Sequence, residues 1–89
     1  METDSKLVLI EWVDAHSGRG WQPIERIAQA NEPLYCLSVG WLVSETRDCK
    51  VLVPHLGGDK NGRVILLGCG DLTIPTSSIV RMNILRQRR

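Results

Sequence analysis

Short apolar runs follow one another down this chain with only turn-forming residues between them. Gly40-Trp41-Leu42-Val43 is followed by Val51-Leu52-Val53-Pro54, then a glycine-rich turn, then Val64-Ile65-Leu66-Leu67. The series closes with Ile74-Pro75-Thr76-Ser77-Ser78-Ile79-Val80. Side chains of a strand alternate between two faces, and runs this short and rich in β-branched residues suit strands better than helices. The order predicts strand, strand, strand, a short helical turn and a last strand. We therefore expect a mostly β fold, a small five-stranded antiparallel barrel with one short helix. The 89 residues suffice for one domain with one core, spanning 1–89. Long helices alternating with strands are lacking, which argues against an α/β fold.

Lys6 to Val13 reads as the first strand, with Val8, Ile10 and Trp12 on one face and Leu7, Leu9, Glu11 and Val13 on the other. Both faces are apolar, so one is expected in the core and the other under a loop or a partner subunit. Asp14 to Gly20 is turn-rich. Trp21 to Ala30 carries the only helical pattern: Pro23 suits a first helical position, and the Ile24–Ile27 stripe is expected to cover the barrel or its open end. Asn31-Glu32-Pro33 ends it. Leu34 to Ser44 is the second strand, where Gly40 is expected to mark a bulge or sharp bend. Cys49 to His55 follows, with Pro54 ending its ladder. Leu56 to Gly62 reads as a loop, Arg63 to Gly68 as a strand, Leu72 to Ile74 as an extended run and Ile79 to Leu85 as the last strand.

Charge is unevenly placed. Seven basic and ten acidic residues precede Arg81, a net −3, whereas Arg81, Arg86, Arg88 and Arg89 crowd the last nine positions. That is not the broadly basic surface of a strong nucleic-acid binder. The end at about 86–89 is expected to be a flexible basic tail. Cys36, Cys49 and Cys69 are odd in number and widely spaced, so they read as small core residues in a reducing compartment rather than as a disulfide scaffold. With His16 and His55 they form no CxxC-type signature, so neither a structural metal nor a cofactor is expected. Neither a signal peptide nor a membrane span is expected.

Asp14, His16 and Ser17 are close in sequence, but a nucleophile and its base normally come from distant segments, and no oxyanion hole is evident, so a hydrolase is not expected. Asp14 and Ser17 are expected to bond loop amides, with Trp21 packed beneath them. Trp12, Trp21 and Trp41 read either as core anchors or as an aromatic wall that stacks a base, with Arg19, Arg47 or Arg63 reaching phosphate. The candidate ligand-binding set is thus Trp12, Asp14, His16, Arg19, Trp21, Trp41, Arg47 and Arg63. Gly57 to Gly62 lacks the spacing of a phosphate loop.

The run Val39 to Leu85, with its interior strand glycine, Gly/Asn hairpin turn and short turn before a final Ile/Val strand, resembles a small SH3-like or Sm-like barrel over half of the chain. In Sm-like proteins the last two strands pair between neighbours and close a ring, a role the resemblance gives to Val64–Leu67 and Ile79–Leu85. Sm nucleotide-binding motifs are not evident. A second resemblance spans most of the chain: Glu11-Trp12-Val13-Asp14-Ala15-His16-Ser17, Gly20-Trp21, Ser38-Val39-Gly40-Trp41-Leu42-Val43, and Ile74-Pro75 through Ile79-Val80 look like a family of small tailed-bacteriophage proteins. This implies a viral origin and the cytoplasm of an infected bacterium. The expectation is a non-enzymatic, homo-oligomeric accessory protein that binds a host protein or a small nucleotide-like signal. A nucleic-acid-binding barrel and a minor virion structural or assembly protein are the alternatives.

Overall fold

The computed structural model describes residues 3–61 and 65–86. Chain order is β1 (Lys6–Asp14), α1 (Ile24–Ala28), β2 (Leu34–Glu45), β3 (Cys49–Val53), β4 (His55–Gly58), β5 (Ile65–Cys69), β6 (Leu72–Pro75), a 3-10 turn (Thr76–Ser78) and β7 (Ile79–Ile84). The fold is mostly β. Five strands form one antiparallel sheet in the order β6-β3-β2-β1-β7, and β4 and β5 form a separate antiparallel hairpin.

The sheet is strongly curled. Its two edges, β6 and β7, are consecutive in the chain with only the 3-10 turn between them. In a flat five-stranded sheet those edges would lie about 19 Å apart, whereas a 3-10 turn of this length carries the chain only about 8 Å. The turn is anchored from below, because the Thr76 amide donates to the Asp48 carbonyl at 2.8 Å.

The core lies inside that curl. Val8 and Ile10 of β1, Leu52 of β3 and Ile74 of β6 are buried together, with Trp12, Leu42, Leu72, Ile79 and Met82 packed around them. The two-residue period of β1 thus sorts its side chains as the sequence requires. Gly40 has a different role from the one expected. It pairs regularly with Val8, and the irregularity of β2 falls between Leu42 and Ser44 instead. A Cβ on Gly40 would sit 3.0 Å from the Val53 carbonyl oxygen and 3.2 Å from Leu52 Cβ. The glycine permits close approach of β3.

Three further expectations are corrected. The residues after Pro54 are not simply a loop, since His55–Gly58 pairs with Ile65–Cys69 to make the second sheet; backbone pairing there needs no apolar alternation. The helix is only Ile24–Ala28, Pro23 stands one position before it, and none of its residues is buried. It makes no substantial packing contact with any strand, so it does not cover the sheet. The cysteines are not core residues: Cys36 and Cys49 are half-buried and Cys69 is exposed, all three as free thiols. The turn at Gly70, with φ 78°, uses the glycine's access to left-handed backbone.

The chain is elongated. Its radius of gyration is 17.4 Å and its longest dimension 59 Å, against about 12 Å expected for a compact domain of this length.

Gly40→Ala should destabilise the fold by about 1–3 kcal/mol, because carbonyl and side-chain atoms of β3 would have to move. Gly57→Ala, whose added carbon would rest 3.6 Å from Leu67 Cβ, should be close to neutral. Urea unfolding of both variants at one protein concentration checks this.

Candidate functional site

Strand register decides which of the candidate residues meet. Trp12 pairs with Cys36 on the inner side of the curl, whereas Trp41 pairs with Leu7 five residues away along β1 and on the opposite face. The spacing alone separates them by roughly 17 Å. The Trp12 indole donates to Ser38 Oγ at 3.0 Å, which satisfies its polar edge while its ring packs on the core. Trp21 stands outside both, fully exposed at 105%. The three tryptophans therefore form no common wall.

Asp14, His16, Arg19 and Trp21 share the segment that joins β1 to β2. Asp14 Oδ1 accepts the Ala15 amide at 2.8 Å, as an Asx residue at a strand end does. His16 Nε2 lies 2.7 Å from the Glu32 carbonyl oxygen; a carbonyl only accepts, so this ring nitrogen carries the proton. That bond ties the two legs of the segment together. The Arg19 carbonyl accepts from the Gln22 side-chain amide at 3.1 Å. Trp21 packs on nothing beneath the loop.

Arg47 is exposed in the tight turn between β2 and β3, where Thr46 Oγ1 accepts the Asp48 and Cys49 amides. Arg63 lies outside the described residues, as do Gly62, Val64 and residues 87–89. Beside the Arg47 turn, Lys50 donates to Glu45 across a β2–β3 pair. The Lys50 hydrogen bond, then its charge, holds the Glu45 carboxyl below the usual carboxylate range, with Lys6 adding a smaller pull. Among the described residues no three His, Cys, Asp or Glu side chains come together as a metal site.

The surface features that sequence reasoning resolved least are apolar. The outer face of β1–β2 presents Leu9 opposite Val39, Glu11 opposite Leu37 and Val13 opposite Tyr35. Leu37 is 71% exposed and Tyr35 65%. Glu11 is paired with Arg81 of β7 at 3.0 Å on this same face. At the β1 start, a cleft of about 650 Å³ is lined by the apolar side chains of Leu7, Trp41, Ile84 and Leu85 together with Ser5, Lys6 and Arg86. The doubled apolar pattern of β1 was the sequence signal for the face. The cleft had none, because its walls come from three separated segments.

No helix among the described residues is long and apolar enough to cross a membrane.

A Trp12→Phe substitution should cost about 1 kcal/mol through loss of the Ser38 hydrogen bond, read by urea unfolding. Because the Glu45 carboxyl titrates lower in the folded chain, its pairing adds stability above its unfolded pKa. That contribution fades as the pH falls below about 4. Lys50→Gln should move the Glu45 titration midpoint upward toward the ordinary carboxylate value in a carbon-detected NMR titration, with little change in stability because the Glu45 end of the pair is open to solvent.

Comparison of this chain with models of known protein families, with curated proteins and with solved structures returned no match to any of them.

Proposed function

We propose that this chain is a non-enzymatic accessory protein of a tailed bacteriophage that acts by binding, in the cytoplasm of the infected host, with a small SH3-like or Sm-like barrel as its scaffold. The barrel reading is supported by the strand order β6-β3-β2-β1-β7 and by the 3-10 turn joining its two edges. The viral reading is supported by the sequence resemblance.

One observation carries the binding reading. Among the described residues twelve large apolar side chains are exposed and only five hydrophobic residues are buried. Scattered single exposures are ordinary, but contiguous ones mark contact surfaces. Two surfaces are available. One is the β1–β2 outer face. The other is the β4–β5 hairpin, a two-stranded unit of a kind that is marginal alone and whose backbone edges and 72%-exposed Leu67 suit docking to a host protein.

A second reading, a small nucleotide-like signal as ligand, is favoured by the cleft beside Trp41, where an indole and the cations of Lys6 and Arg86 match a base and a phosphate.

Immobilised protein should retain one host protein at fixed stoichiometry from a bacterial lysate. With that protein purified, Leu67→Asp should weaken binding at least about tenfold by calorimetry. No saturable binding to any host protein, together with no heat from mononucleotides, would sink the reading.

A further inference from the structure

The segment between β1 and β2 is an arm without a seat in its own chain. It leaves the sheet at Asp14, returns at Leu34, and the hydrogen bonds of its His16, Gln22 and α1 amides close within the arm itself. Trp21 is fully exposed, Ile24 is 78% exposed and Ile27 52%. A five-residue helix is far below the length that holds together in water, so its apolar stripe needs something to pack on.

The same molecule carries a matching surface that the arm does not reach. The outer face of β1–β2 runs from the Val13–Tyr35 pair at the base of the arm to the Leu7–Trp41 pair at the cleft. Asp14 and Leu7 are seven residues apart on an extended strand, about 23 Å. Each copy therefore holds an unpacked aromatic knob at one end of an apolar face and an open apolar cleft at the other. A two-fold axis through the middle of β1 superposes the two ends. Two copies packed face to face with β1 antiparallel to β1 would put the arm of each over the cleft of the other.

We propose that the chain forms an isologous dimer through the outer face of β1–β2, with Trp21 of each copy seated in the cleft of the other between Lys6 and Arg86. Leu37 and Val39 make the centre of the contact, Tyr35 lies toward the arm end, and the indole takes cation–π contacts from the basic rims. The Glu11–Arg81 pair lies on this face with both charges already matched, so neither enters the contact as a lone ion. Nine residues along each of two strands give a flat footprint of about 300 Å² on each copy. Two docked arms, each with a tryptophan worth about 150–250 Å² and covering a comparable area of cleft wall, bring the total to the lower part of the range of stable association, about 1,200–2,000 Å². A self-complementary patch of this kind closes at two copies. The proposal rests on the reading of this protein as one that works through apolar contacts.

The test is native mass spectrometry and light scattering on the full chain, with Trp21→Ala and Leu37→Glu, each variant checked for strand content by circular dichroism. Wild type should be a dimer, Leu37→Glu a monomer, and Trp21→Ala should raise the dimer dissociation constant by about tenfold or more. A photo-crosslinking residue placed at position 21, in a mixture of light and heavy-isotope copies, should join the arm to peptides holding Leu7, Trp41 or Leu85 of a second copy. A wild-type monomer overturns the dimer. So does an oligomer indifferent to Leu37→Glu, the behaviour of edge-to-edge strand pairing, or crosslinks confined within one copy. A mononucleotide that fills the cleft and splits the dimer reassigns the cleft to a ligand. Host-protein capture lost in Leu67→Asp, from a chain that is monomeric, leaves the contact reading standing and removes the dimer alone.

Discussion

The burial of Val8 and Ile10 beneath a sheet that curls over them is the interaction on which the rest of this structure depends. β1 lies between β2, the strand that follows it, and β7, the last strand among the described residues. Its inner residues meet Leu52 and Ile74 from strands that are not its neighbours. Such contact across the curl requires the edges to turn toward each other, and the three-residue 3-10 turn holds them there. The close approach of β3 at Gly40 belongs to the same demand: a side chain at that position would push the curl open.

A core of this size leaves little margin. Fully burying an aliphatic side chain is worth about 1.5–3 kcal/mol, and ordering a residue costs a comparable amount. Five buried hydrophobic residues among those described are few for a chain of 89. The apolar residues left outside are not scattered. Tyr35, Leu37 and Val39 lie along one sheet face, Trp21, Ile24 and Ile27 on the arm, and Leu67 on the hairpin.

Much of the fold was legible before the structure. The alternation of Val8, Ile10 and Trp12 against Leu7, Leu9, Glu11 and Val13 assigned β1 its two faces, because a period of two is a local property of extended backbone. Turn chemistry at Gly70 and the Ile74–Pro75 to Ile79–Val80 run placed the last strands. The helix was overextended because the Ile24–Ile27 spacing was read as a sign of packing. A stripe on one and a half turns records the apolarity of the residues, not the presence of a surface beneath them. The hairpin strand His55–Gly58 was missed because two glycines carry no periodic signal. Gly40 was given a bend, when its need is for space, and nearness to Val53 is not a local quantity. Among the candidate site residues, Trp12 and Trp41 were grouped by type, and their register put them on opposite faces.

The sequence by itself determined the strands of the five-stranded sheet, the turn residues and the two-sided apolarity of β1, since each follows from side chains within a few positions of one another. Tertiary structure alone decided which strands meet across the curl, that Trp12 turns inward to Ser38 while Trp41 borders a cleft, and that the arm is left without a seat. Those outcomes depend on pairings between residues dozens of positions apart, where geometry rather than composition chooses the neighbour.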